Sequence, residues 1–259
     1  MKIEDKETVF NEYKPNNIYN VDCYEAIKKI PDKSIDLIVT DPPYEIETVG
    51  GNTNIGKTLN GMCKQLEDLN IIDGINIEIL DEFMRIMKKP NIYIWCNKKQ
   101  VIEYLNYFVT KNGCSFEIMV WIKTNPTPLC GGNYLIDKEF CLYFRKGVKL
   151  NTKFETAATY WISPKNKSDK DLYCHPTIKP LDFVKNHILN ATKENDIVLD
   201  CFLGSGTTAV ACKELNRRYI GFEINKDYFK IAQDRINGIS QIDNKLKEAG
   251  IQTIFDFME

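Results

Sequence analysis

The apolar run Ile35-Asp36-Leu37-Ile38-Val39-Thr40 leads directly into Asp41-Pro42-Pro43-Tyr44, and this junction constrains the fold more than any other part of the chain. The run predicts a buried strand. Two consecutive prolines cannot extend a hydrogen-bonded ladder, so the strand stops there. Its carboxyl end then presents a carboxylate, rigid carbonyls and an aromatic ring within four residues. In open α/β sheets that edge is where ligands are held. Such a cluster suits a planar base that carries an amino group. A proline-rich turn without chemistry is the plainer reading of the same residues, and a second, distant motif weighs against it.

That motif is Asp196-Ile197-Val198-Leu199-Asp200-Cys201-Phe202-Leu203-Gly204-Ser205-Gly206-Thr207-Thr208. A short apolar strand turns through two glycines into a helical stretch from Thr207 to Leu215. Glycine permits tight turning and a close approach of ligand to backbone. A phosphate-gripping loop would need Gly-Lys-Ser/Thr, and Gly206 is followed by Thr207. A dinucleotide fingerprint would need a third glycine or alanine, and Ala209 meets that spacing. Gly204, Gly206 and Ala209 therefore leave a nicotinamide cofactor open. Arg218-Tyr219-Ile220-Gly221-Phe222-Glu223 supplies the acidic residue after the next strand, with Glu223 placed for ribose hydroxyls.

Taken together, Asp-Pro-Pro-Tyr first and Asp-x-Phe-x-Gly-x-Gly-Thr-Thr second resemble the S-adenosylmethionine-dependent amino DNA methyltransferases. The order is that of the β group, whose catalytic half precedes its cofactor half. Ile18-Tyr19-Asn20-Val21-Asp22-Cys23 resembles the segment that contacts the cofactor adenine, with Asp22 accepting from its amino group. His175-Pro176-Thr177-Ile178-Lys179-Pro180 resembles the His-Pro-Thr-Gln-Lys-Pro segment that opens the cofactor half, with Ile178 in place of the usual Gln. The resemblance covers most of the chain. It implies one α/β domain over residues 1–259, a Rossmann-like methyltransferase fold with permuted motif order. The expected sheet has seven mostly parallel strands, an antiparallel hairpin at one edge and helices on both faces. Asp41 and Asp200 should end neighbouring strands. The implied cofactor contacts are Asp22, Cys23, Asp41, His175, Thr177, Lys179, Pro180, Asp200, Cys201, Phe202, Gly204, Ser205, Gly206, Thr207, Thr208, Glu223 and Ile224, with no metal.

The chemistry implied is methylation of the exocyclic N6 of adenine in DNA. That nitrogen is a poor nucleophile, because its lone pair is delocalised into the ring. The Asp41 carboxylate and the Pro42 carbonyl would each accept one N–H, and these bonds strengthen as positive charge develops. Tyr44 would stack on the base and Pro43 would stiffen the turn. A base inside a duplex must be flipped out at a cost of a few kcal/mol, and stacking on Tyr44 would return ~1–3 kcal/mol. A single-stranded target avoids much of that cost. No Pro-Cys dipeptide occurs, which argues against C5-cytosine chemistry. N4-cytosine methylation usually carries Ser in place of Asp41, and protein glutamine methylation carries Asn. An inactive DNA-binding relative and a nicotinamide oxidoreductase are the other readings; the latter gives no account of Asp-Pro-Pro-Tyr.

Net charge is −2, so composition does not announce a nucleic-acid partner. Its distribution is more telling. Residues 145–170 carry Arg145, Lys146, Lys149, Lys153, Lys165, Lys167 and Lys170 against Glu155 and Asp169. The six lysines are candidate phosphate contacts, and residues 145–174 lie where the β group places its target recognition segment. A solvated lysine face is the alternative. The charged start, Met1 to Lys6, predicts no signal peptide, and no apolar run nears the ~20 residues of a membrane span. A cytoplasmic enzyme is expected, and the resemblance allows a homodimer. The nine cysteines lack Cys-x-x-Cys spacing and are read as reduced.

Residues 45–62, rich in Gly and Asn, suit a lid over the target base. Ile75, Ile79, Leu80, Phe83, Met84 and Met87 follow helical spacing. Asn91 to Cys96, Phe116 to Lys123 and Glu139 to Arg145 read as strands, the last two as a hairpin. A helix is expected from Tyr24 to Ile30, stopped by Pro31. Leu181, Val184, Ile188 and Ala191 mark one face of another, with His187 beside it as a packed or surface residue. Phe229, Ala232 and Ile236 mark a further helix. The tail from Gln241 to Glu259 suits a short helix.

Overall fold

The computed structural model describes residues 9–44, 75–126, 134–165 and 178–239. The proposed lid at 45–62 and the tail from 241 fall outside the described residues. Among the described residues eight strands form one sheet: β1 (Asn17–Tyr19), β2 (Leu37–Thr40), β3 (Asn91–Cys96), β4 (Ser115–Lys123), β5 (Lys138–Arg145), β6 (Tyr160–Ser163), β7 (Ile197–Asp200) and β8 (Arg218–Phe222). Their spatial order is β1-β8-β7-β2-β3-β5-β4-β6. Only β5 runs antiparallel to its neighbours.

The central strands β2, β3 and β7 are buried at every position. Strands covered on both faces read as unbroken apolar runs, which is why they were visible in the sequence. Alternate side chains serve opposite faces. Ile38, Ile92, Ile94 and Leu199 face a core closed by helix α2 (Glu78–Ile86) through Ile79, Leu80, Phe83 and Ile86. Val39, Tyr93, Trp95 and Val198 face a second core closed by α4 (Leu181–Ala191) and α5 (Thr207–Glu214).

Three expectations need correction. The sheet has eight strands because Tyr160–Ser163, inside the segment read for its charge, pairs in parallel with β4. Trp121 Nε1 donates to Ser163 Oγ at 2.9 Å, and Trp161 stacks on Phe183 with ring centroids 5.8 Å apart. The β4–β5 hairpin is consequently interior, with β5 between β3 and β4. The first helix is one turn, α1 (Cys23–Ala26), followed by a tighter turn over Ile27–Lys29.

Candidate active site

β2 and β7 lie side by side in parallel, with Leu37 opposite Val198 and Ile38 opposite Leu199. The two distant motifs therefore leave the sheet at one edge. They also touch: Thr40 Oγ1 donates to Asp200 Oδ1 at 3.0 Å, and Phe202 N donates to the same oxygen at 3.1 Å. Burial raises the Asp200 carboxyl to about 7, against the pull of these hydrogen bonds.

Asp41 is gripped on both oxygens. Tyr44 donates its hydroxyl to Oδ1 at 2.8 Å, and Lys179 Nζ donates to Oδ2 at 2.5 Å. The Asp41 side chain keeps 28% of its surface accessible while Lys179 keeps 9%, so a ligand can reach the carboxylate but not the root of the lysine. The ammonium also lies 4.8 Å from the Trp95 ring centroid, a cation–π distance. Behind it stands Glu139, with Oε2 at 3.2 Å from Lys179 and Oε1 held by Lys123 at 2.5 Å. Burial opposes ionisation of Glu139, but the two ammoniums overcome it and hold the carboxyl at about 2. Lys179, despite its own burial, is raised by Asp41 and Glu139. Four charges of alternating sign thus run Lys123, Glu139, Lys179, Asp41. The turn itself is fixed by Gln100, at the start of α3 (Gln100–Tyr104), whose Nε2 donates to the Pro43 carbonyl at 3.2 Å.

The glycine loop is built from below. Gly206 caps α5 at φ +79°, and a Cβ there would meet Ala232 Cβ at 3.1 Å. Gly221 in β8 is needed for packing, because its Cβ would fall 2.8 Å from the Leu203 side chain. Glu223 accepts from Gly204 N and Asn225 N, each at 2.8 Å, and burial raises its carboxyl. Buried Arg235, on α6 (Lys226–Ile236), donates to Thr207 Oγ1 at 2.7 Å, Ser205 Oγ at 3.2 Å and the Ser205 carbonyl at 3.3 Å. Gln100, Glu139, Lys123 and Arg235 were all missed from sequence. Only Arg235 left a signal, since it continues the buried stripe of Ile231 and Ala232 at helical spacing.

The remaining predicted residues divide by position. Asp22 caps α1, one oxygen accepting from Tyr24 N at 2.8 Å. Cys23 and Cys201 are buried near the loop, and burial raises both thiols. Thr208 is buried in α5, Pro180 precedes α4 and Ile224 is half-exposed beyond β8. His175, Thr177, Lys167 and Lys170 lie outside the described residues. Lys146, Lys149 and Lys153 are not brought to this edge. β5 ends at Arg145 opposite Asn91, the first residue of β3, and Lys146 N donates to the Pro90 carbonyl. They therefore follow the opposite, amino edge of the sheet. Lys165 follows β6, whose Ser163 sits beside Lys123, and so does lie at the Asp41 edge.

A parallel, doubly covered sheet with a carboxylate-proline corner and a glycine turn side by side at its carboxyl edge defines a Rossmann-like α/β enzyme of the nucleotide-binding kind. Residues 35–234 match the family model N6_N4_Mtase, described as DNA methylase. The chain belongs to this DNA methyltransferase family. It is 30% identical over 258 residues to Type II methyltransferase M.HinfI of Haemophilus influenzae, covering 90% of this chain and 71% of that protein. It is 32% identical over 242 residues to Type II methyltransferase M2.LlaDCHI of Lactococcus lactis subsp. cremoris, covering 85% and 88%. Among solved structures, the M1.HpyAVI-SAM complex aligns with a TM-score of 0.61 at 28% identity, covering 84% of this chain and 98% of that one. The cytosine-N4-specific PvuII DNA methyltransferase aligns with the same TM-score at 16% identity, a likeness of fold alone.

Proposed function

We propose that the protein transfers a methyl group from S-adenosylmethionine to the N6 of an adenine in DNA, with Asp41 as the acceptor that selects and activates the amine. The observation that carries this reading is the contact between the motifs: Thr40, the residue before the acceptor, is hydrogen-bonded to Asp200, the residue that opens the glycine loop. Methyl donor and amine then meet at one edge. The donor set suits this cofactor. Asp22, Asp200 and Glu223 offer acceptors to a cationic, hydroxyl-bearing nucleoside. Gly204, Ser205 and Gly206 let the backbone approach it closely. When bound, the cofactor supplies an electrophilic methyl on a positively charged sulfur.

The chain's own part is to present the amine. Asp41 and the Pro42 carbonyl each accept one N–H, drawing the lone pair out of conjugation, and both bonds tighten as the nitrogen becomes cationic. Tyr44 forms the stacking platform. Its hydroxyl bond to Asp41 ties the ring to the carboxylate it serves. A ring nitrogen is not the target, because the site offers acceptors where a two-proton donor would sit. The DNA backbone is read by Lys165 at the same edge, with Lys167 and Lys170 close to it in sequence, whereas Lys146, Lys149 and Lys153 follow the opposite edge.

Tritiated methyl transfer from S-adenosylmethionine to duplex and single-stranded DNA tests the reading. Incorporation into DNA that hydrolyses to N6-methyladenine is expected. Label in N4-methylcytosine, or none in DNA, contradicts it.

A further inference from the structure

We propose that Lys179 is a displaceable lock on Asp41, and that Glu139 is the carboxylate that receives the lysine when the target amine takes its place. This rests on the reading of Asp41 as amine acceptor. Lys179 occupies Asp41 Oδ2 while Tyr44 holds Oδ1, so an incoming amine must displace a donor to reach the carboxylate. Amine and ammonium compete for the carboxylate. An ammonium left against Asp41 would also oppose the positive charge that develops on the nitrogen, so the reaction favours its departure.

The structure provides a destination. Glu139 Oε2 is buried 3.2 Å from Lys179 Nζ, and among the described residues no well-aligned hydrogen bond reaches it. This contact is longer than the 2.5 Å bond from Lys179 to Asp41, so the lysine can close on Glu139 as it leaves Asp41. Lys123 fixes the other Glu139 oxygen, so the open one stays aimed at the lysine. A rotation about the outer torsions of Lys179 exchanges Asp41 for Glu139, with the ammonium paired throughout and no proton transferred. The Trp95 ring, 4.8 Å away, offers a cation–π surface along that movement. The charged and titratable groups around the lysine are Asp41 and Tyr44 after β2, Cys96 on β3, and Glu139 and Cys141 on β5. Lys123 and Lys165 act on it through Glu139. Glu139 is a positioning residue: it acts through Lys179 and touches no reacting atom.

The test is single-turnover methylation at pH 7 by Glu139→Gln and by Glu139→Gln with Lys179→Met, with cofactor affinity and Tm measured alongside. Without the second carboxylate Lys179 is committed to Asp41. The rate near pH 7 should fall about tenfold or more, with cofactor affinity within twofold of wild type. Removing the lysine from that variant frees Asp41, so Glu139→Gln with Lys179→Met should methylate faster than Glu139→Gln alone. No loss in Glu139→Gln, or a double variant no faster than Glu139→Gln, overturns the proposal. If Glu139→Gln does not fold, Lys179→Met is compared with the paired variant Glu139→Met and Lys179→Met. Equal single-turnover rates are expected, because Glu139 acts only through the lysine, and a slower folded pair overturns the lock. Wild-type protein that fails to methylate DNA instead contradicts the proposed function, a result distinct from either.

Discussion

At Gly206 the backbone is in the left-handed region with Ala232 directly behind it. Any side chain there meets both obstacles, so Gly206→Ala should cost about 2 kcal/mol, seen as a fall in Tm of several degrees. It should also weaken cofactor binding, and an unchanged Tm would contradict the reading. His187 poses the opposite problem. It is fully enclosed, stacked on Tyr93 at 4.3 Å between ring centroids, and among the described residues neither ring nitrogen has a hydrogen bond. Burial alone lowers it to about 3. The sequence placed His187 beside the packed face of its helix and outside the chemistry, and the structure agrees on packing. The Asp-Pro-Pro-Tyr corner was legible for a local reason: acid, broken ladder and aromatic ring are adjacent in the chain. Glu139 was not, because a lone glutamate in a strand acquires meaning only once Lys123 and Lys179 are beside it.

Among elements, the glycine loop and the lysine-bearing segment behave differently. The loop's shape is set by neighbours: Glu223 grips Gly204 from β8, and Arg235 grips Ser205 and Thr207 from α6. Arg235→Met should therefore lower cofactor affinity about tenfold without touching the cofactor. Titration calorimetry gives the value, and unchanged affinity would show that the loop holds itself. The loop was readable because its glycines are spaced by local turn geometry. The 145–174 segment was not, because β5 reverses direction and delivers Lys146, Lys149 and Lys153 to the edge away from Asp41. The later β6 returns the chain to the Asp41 edge. Lys165→Ala with Lys167→Ala should reduce the dependence of DNA affinity on salt, by a slope of about one to two. Lys146→Ala with Lys149→Ala should leave the slope unchanged, and the reverse pattern would move the DNA to the other edge.

For the whole molecule, two buried groups set opposing acid responses. His187 is held at about 3 in the fold against an ordinary value near 6.5, so the unfolded chain binds its proton first. Its contribution to stability is full above about 6.5 and is lost as pH falls towards 3. Asp200 is held at about 7 against 3.8, so the folded chain binds its proton first. Its contribution is full below 3.8 and is lost as pH rises through 7. Between about 4 and 6.5 the two slopes oppose each other. His187→Phe keeps the ring stack, removes two unsatisfied nitrogens and should raise stability by about 1 kcal/mol at pH 7. The gain over wild type should grow as pH falls to 5. A gain that shrinks on acidification would mean the imidazole is protonated inside the fold.

The two motifs, separated by most of the chain, meet through Thr40 and Asp200, and that meeting makes the site. The proposed chemistry turns on one carboxylate. Nucleoside analysis of DNA incubated with S-adenosylmethionine and either wild type or Asp41→Ala measures this most directly. N6-methyladenine should form with wild type and fall to background with Asp41→Ala, while the variant still binds cofactor. Undiminished N6-methyladenine from Asp41→Ala would remove the carboxylate from the reaction.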